Sequence, residues 1–96
     1  MAKIMITGGD KNGEIIDLQN AELVLGRYAD CDLILDDTRA SSHHARLYRD
    51  KTAWMLTDLK STNGTLVNGR EVTGVRDLSE GDRIEIGETV FEVQIR

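Results

Sequence analysis

Two polar clusters and one arginine carry the residue types in this chain that could do chemistry. The first cluster is Arg39-Ala40-Ser41-Ser42-His43-His44-Ala45-Arg46, and the second is Asp58-Leu59-Lys60-Ser61-Thr62-Asn63-Gly64-Thr65. Both are dense in hydroxyls, amides and cationic or titratable groups. Gly26-Arg27 ends a separate apolar run with a single guanidinium. Together these pieces hold what a phosphate requires. A phosphate monoester carries close to two negative charges near neutral pH and three acceptor oxygens. A bidentate guanidinium, hydroxyls and backbone N–H groups hold it best. Arg27, Ser41 and Thr62 offer that set from three separate loop edges.

Other chemistries fit less well. Read alone, each cluster is at least as well explained by ordinary turn chemistry, in which Ser, Thr and Asn satisfy their own backbone. An arginine at a strand end, such as Arg27, is by itself usually just solvated. Ser41 and His44 are near in sequence, but no nucleophile elbow or orienting third residue accompanies them. Adjacent histidines on a strand point to opposite faces, and Cys31 lies far from them in sequence, so no metal set is expected. Gly8, Gly9 and Gly13 are followed by no GKS or GKT and open no helix, so they make no phosphate-binding loop. Asn63-Gly64-Thr65 matches a glycosylation sequon, with no secretory signal to support it.

The elements that must position these clusters are strands. Apolar residues recur with period two nearly everywhere. Ile4 and Ile6 share a face, as do Ile16 and Leu18, Leu23 and Leu25, Leu33 and Leu35, Ala45 and Leu47, and Trp54 and Leu56. In a strand from His44 to Arg49, alternation would turn His44, Arg46 and Tyr48 outward. Thr65 to Val67 and Arg70 to Val72 flank Asn68-Gly69, the strongest short hairpin signal. Val75 to Leu78 reads as a short strand, and Arg83 to Ile86 pairs with Thr89 to Ile95 across Gly87-Glu88. No stretch carries a helical stripe. About ten or eleven short strands, with turns every 8–12 residues or so, predict an all-β sandwich or barrel.

Composition limits the partners. Ninety-six residues predict one domain spanning 1–96 with a modest core. No apolar stretch approaches the roughly 20 residues of a membrane span. A single cysteine, Cys31, excludes an internal disulfide and suits a reducing, cytoplasmic setting. The formal net charge of −5 repels nucleic acid and anionic membranes at long range. An anion site must therefore be a local cationic pocket in an unfavourable global field.

In order and spacing the motifs resemble the forkhead-associated (FHA) domain. They are Gly26-Arg27, Asp30, Asp32-Leu33-Ile34-Leu35, Ser41-x-x-His44-Ala45, Trp54-x-Leu56-x-Asp58-Leu59, Ser61-Thr62-Asn63-Gly64-Thr65-x-Val67-Asn68-Gly69 and Leu78-x-x-Gly81-Asp82-x-Ile84-x-Ile86-Gly87. The resemblance runs from about residue 3 to residue 95. It implies an eleven-stranded β-sandwich of the FHA type with binding loops at one end. The implied function is a phosphothreonine-dependent protein- and peptide-binding module in Ser/Thr-kinase signalling, not an enzyme, with no cofactor and no metal. The implied partner is a phosphothreonine-containing protein, and the module is monomeric or part of a larger multidomain protein. A degenerate FHA scaffold that assembles with proteins independently of phosphate is the alternative.

Carried over by position, phosphate contacts fall on Arg27, Ser41 and Thr62, and Asn63 matches the asparagine that bonds the peptide backbone. His44 matches a histidine that braces the loops, while Gly26 and Gly64 match glycines that set their turns. Ser42 departs from the family, where Arg, Lys or Asn is common and helps hold the phosphate. Arg39 lies in the loop facing the third residue after the phosphothreonine, so a preference for Asp or Glu there is expected.

Overall fold

The computed structural model describes residues 2–9, 11–19 and 22–95. Eleven strands run through them: β1 (Ala2–Gly8), β2 (Ile15–Asp17), β3 (Glu22–Gly26), β4 (Leu33–Ile34), β5 (Ala45–Asp50), β6 (Ala53–Asp58), β7 (Leu66–Val67), β8 (Arg70–Glu71), β9 (Val75–Asp77), β10 (Arg83–Ile86) and β11 (Thr89–Ile95). They form a six-stranded sheet, β2-β1-β11-β10-β7-β8, and a five-stranded sheet, β4-β3-β5-β6-β9. All neighbours are antiparallel except β3 and β4, which run parallel. This is the expected eleven-stranded sandwich, with strand ends differing by a residue or two where loops take over the hydrogen bonds. Among the described residues no helix is long and apolar enough to cross a membrane.

The core lies between the sheets and follows from the period of two. Ile4, Ile6, Ile84, Ile86, Phe91 and Val93 come from the larger sheet, and Leu25, Ala45, Leu47, Trp54 and Leu56 from the smaller. Burying each of the larger aliphatic side chains is worth about 1.5–3 kcal/mol. In both sheets a one-residue slip would turn the apolar set to solvent, so register is firmly specified. Ile95, expected inward, is half-buried at the edge of this cluster.

The turns obey local chemistry. Asn68 and Gly69 both have positive φ, 52° and 81°, as a type I′ hairpin requires. Between β10 and β11 only Gly87 does, at 60°, which is the type II′ pattern.

His44 does not take the outward strand position that alternation assigns it. Strand β5 begins one residue later, at Ala45, and the imidazole is fully buried. Two flanking loops close over it, and the satisfied polar ring costs less there than an unpaired one would.

Candidate functional site

Three loops meet beyond the ends of β3, β5 and β6. The first joins β3 to β4. Arg27 N–H donates to the Ser41 carbonyl (3.1 Å) and Tyr28 N–H to the Ser42 carbonyl (3.1 Å), so this loop lies directly on residues 41–42. Gly26 makes that approach possible. Its φ is not in the left-handed region, but a Cβ there would overlap the Ser42 carbonyl and press on Cys31 Sγ. Gly26 therefore supports the site through close packing, not through the turn conformation expected of it.

The second loop joins β4 to β5 and is fastened by Asp37. Its carboxylate accepts from the backbone N–H groups of Arg39 (2.9 Å), Glu88 (2.8 Å) and Thr89 (3.2 Å) and from the Thr89 hydroxyl (3.0 Å). This ties the loop to the β10–β11 turn of the opposite sheet. Gly87 is needed because a Cβ would meet the Asp37 carboxylate at 2.6–2.7 Å.

The third loop joins β6 to β7 and is built on Asp58. Its carboxylate accepts from Ser61 N–H (2.9 Å), the Ser61 hydroxyl (2.6 Å) and the Thr65 hydroxyl (2.7 Å). Gly64 N–H in turn donates to Ser61 Oγ (2.9 Å), and Gly64 has the φ of +84° expected of a turn glycine. Ser61 is thus spent on turn chemistry. Burial acts to raise the Asp58 pKa, but the hydrogen bonds from Ser61 and Thr65 outweigh it and hold the carboxyl below its ordinary value.

His44 locks the second and third loops together. Its Nδ1 accepts from Ser41 N–H (3.0 Å) and its Nε2 donates to the Gly64 carbonyl (2.9 Å). Leu59 N–H donates to the His44 carbonyl (2.9 Å). Two further bonds cross the gap: Thr62 N–H to Ser41 Oγ (3.0 Å) and Asn63 Nδ2–H to the Arg39 carbonyl (2.8 Å).

The result is an open cleft of about 320 Å³ lined by Arg27, Thr38, Arg39, Ala40, Ser41, Ser42, Thr62 and Asn63. All six residues expected to face a ligand are brought to it, from all three loops. Its lining holds two arginines and no acid, in a chain of net charge −5. Neither guanidinium has an ion pair or hydrogen bond among the described residues, whereas Arg46 pairs with Glu22 at 2.7 Å. A smaller hollow of about 260 Å³ continues past Arg39 and Asn63 to Gly64, Leu66, Glu85 and Gly87.

Asp37, Gly87 and Thr65 were not assigned a part in the site from the sequence, nor was Asp58 given its part in shaping its loop. Two of the residues that Asp37 binds, Glu88 and Thr89, lie some fifty residues away, so no local pattern announces them. The Asp58-x-x-Ser61 spacing could have flagged the third loop as an Asx-type turn.

Known proteins share this arrangement. The family model described as the FHA domain matches residues 23–87. The FHA domain-containing protein FhaB of Mycolicibacterium smegmatis is 37% identical over 92 residues, covering 96% of this chain and 59% of that protein. The chain therefore spans about three-fifths of the length of that relative. An FHA domain solved in a study of phosphothreonine-dependent interactions superposes with a TM-score of 0.88 at 30% identity, covering 99% of this chain and 96% of that one. Mycobacterium tuberculosis EmbR, solved with a low-affinity phosphopeptide, gives a TM-score of 0.90 at 32% identity, covering 98% of this chain and 24% of that one. With this sandwich, these three loops and a family match over most of its length, the chain belongs to the FHA-domain family.

Proposed function

We propose that this chain is a phosphothreonine-dependent recognition module for a phosphorylated partner protein in Ser/Thr-kinase signalling, and not an enzyme. The observation that carries this reading is the cleft itself. Two guanidiniums with no partner among the described residues, several hydroxyls and no carboxylate line one hollow on an otherwise acidic chain.

Arg27 takes the phosphate, with the Ser41 and Thr62 hydroxyls donating and Ser42 adding a shorter, neutral contact. Each charge-assisted bond contributes about 1.5–3 kcal/mol. The Asn63 amide is already held by the Arg39 carbonyl, which leaves Oδ1 to accept from a peptide N–H beside the phosphothreonine. Arg39 sits on the wall between the two hollows and pairs with an acidic residue three positions after the phosphothreonine. Gly26, His44 and Gly64 support the site without touching ligand. Residues 1–96 form one such module, and its buried free thiol suits a reducing cytoplasm.

The test is a titration of one phosphothreonine peptide and its unphosphorylated twin against wild type and Arg27→Ala. Binding of the phosphorylated peptide alone, lost in the variant, supports the reading. Equal binding of both peptides overturns it in favour of a phosphate-independent scaffold.

A further inference from the structure

The β3–β4 and β4–β5 loops meet a second time, at groups outside the lining of the anion cleft. Asp30, Cys31 and His43 each bring one donor atom, a carboxylate oxygen, Sγ and a ring nitrogen, to within 4.8 Å of one another. Both Asp30 oxygens lie 3.0 Å from His43 Nε2. Cys31, twelve residues away in sequence and expected to be remote from the histidines, sits beside His43 because its thiol donates to the Ser42 carbonyl at 3.2 Å. The His43 ring is also met edge-on by Tyr28, with centroids 5.6 Å apart.

A tetrahedral ion with ligand bonds of 2.0–2.3 Å keeps its donor atoms about 3–4 Å apart. The three groups here need only small movements to reach that spacing. Their chemistry is selective: one thiolate, one imidazole and one carboxylate suit zinc-class ions, whereas magnesium and calcium take all-oxygen sets. Asp30 and His43 are 69% and 43% exposed at their side chains, so an ion has a path from solvent. As an exposed ion pair these two would contribute little to stability.

We infer that Asp30, Cys31 and His43 form a mononuclear site for a zinc-class divalent cation, with water completing its coordination. Binding exchanges the Cys31 S–H proton for the metal, gives up the S–H bond to Ser42, and replaces the Asp30–His43 contact with a shared cation. The ion cross-links the two loops one residue from Ser42.

Titration of the reduced 96-residue chain with Co²⁺ tests this. The expected result is one ion per chain, tetrahedral visible bands and a near-ultraviolet thiolate-to-cobalt band, all bleached by Zn²⁺. His43→Ala and Asp30→Asn, both at exposed positions, should each weaken binding at least tenfold. Cys31→Ser should abolish the charge-transfer band. Zn²⁺ should raise the melting temperature of wild type by more than that of His43→Ala at the same concentration. No thiolate band at millimolar Co²⁺, a band unchanged in His43→Ala, or one ion shared by two chains would overturn the inference.

Discussion

On the proposed reading, Ser41 would serve the fold and a ligand with different parts of one hydroxyl. Its Oγ accepts from Thr62 N–H, which fixes the spacing between two loops, and its proton stays free to donate into the cleft. Arg27 has a simpler position, lining the cleft with no ion pair or hydrogen bond to its guanidinium among the described residues. Arg27→Ala should weaken phosphopeptide binding at least tenfold by calorimetry, since one charge-assisted bond of about 1.5–3 kcal/mol corresponds to a factor of roughly ten or more. Ser42 is the reverse case. It lines the cleft but offers only a short hydroxyl. Ser42→Arg should tighten binding several-fold, and an unchanged Kd would mean that the position does not reach the phosphate. Arg39→Ala should leave phosphate dependence intact and remove the acidic preference three residues on, as read from a phosphothreonine peptide library.

At the scale of elements, the site depends on three polar anchors: the half-buried carboxylates of Asp37 and Asp58 and the fully buried ring of His44. His44 satisfies one loop's N–H and another loop's carbonyl at once, and its own burial is complete. Removing the ring leaves Ser41 N–H and the Gly64 carbonyl without partners, at about 1–3 kcal/mol for each group kept from water. His44→Ala should therefore lower the unfolding free energy by about 2 kcal/mol or more and also weaken phosphopeptide binding, a coupling that Arg27→Ala would not show. Gly26 seats the first loop on the second by closeness. Gly26→Ala forces a Cβ into the Ser42 carbonyl and should cost about 1–3 kcal/mol in a urea melt.

At the scale of the molecule, both sheets contribute to one end. The smaller sheet presents the three loops through β3, β5 and β6. The larger sheet reaches in through β7 and the β10–β11 turn, which Asp37 clasps. The two carboxylates at these junctions link stability to pH. Burial acts to raise the pKa of Asp37, as it does that of Asp58. For Asp37 the backbone N–H of Arg39, then that of Glu88, then Thr89 hold it below its ordinary value. For Asp58, Ser61 and Thr65 do the same. A depressed folded-state pKa gives stability that is complete above the unfolded value of about 4 and is lost as pH falls through the folded value. Denaturant midpoints should hold steady from neutrality down to about pH 5 and fall below about pH 4. Asp58→Asn should flatten part of that fall. An acid profile unchanged by Asp58→Asn and Asp37→Asn together would reject the linkage.

The all-β class was legible in the chain alone. A period of two, broken by Asn68-Gly69 and by glycines at turns, predicts about ten or eleven short strands in a sandwich or barrel, and the family order of the motifs implies the eleven-stranded sandwich. The residues of the cleft were legible too, since Arg27, Ser41, Thr62 and Asn63 keep a family order along the chain. Tertiary structure alone decided how each is used. Ser61 and Thr62 are neighbours of similar chemistry, yet Asp58 consumes the hydroxyl of one and leaves that of the other facing the cleft. His44 looked like an outward strand residue and became the buried bolt between loops. Asp37 finds its partners at Glu88 and Thr89, and Cys31 finds His43, across distances that no local pattern encodes. Strand periodicity follows from the backbone of a few adjacent residues, whereas the partner of a buried polar group depends on which distant loop the packed sheets bring against it.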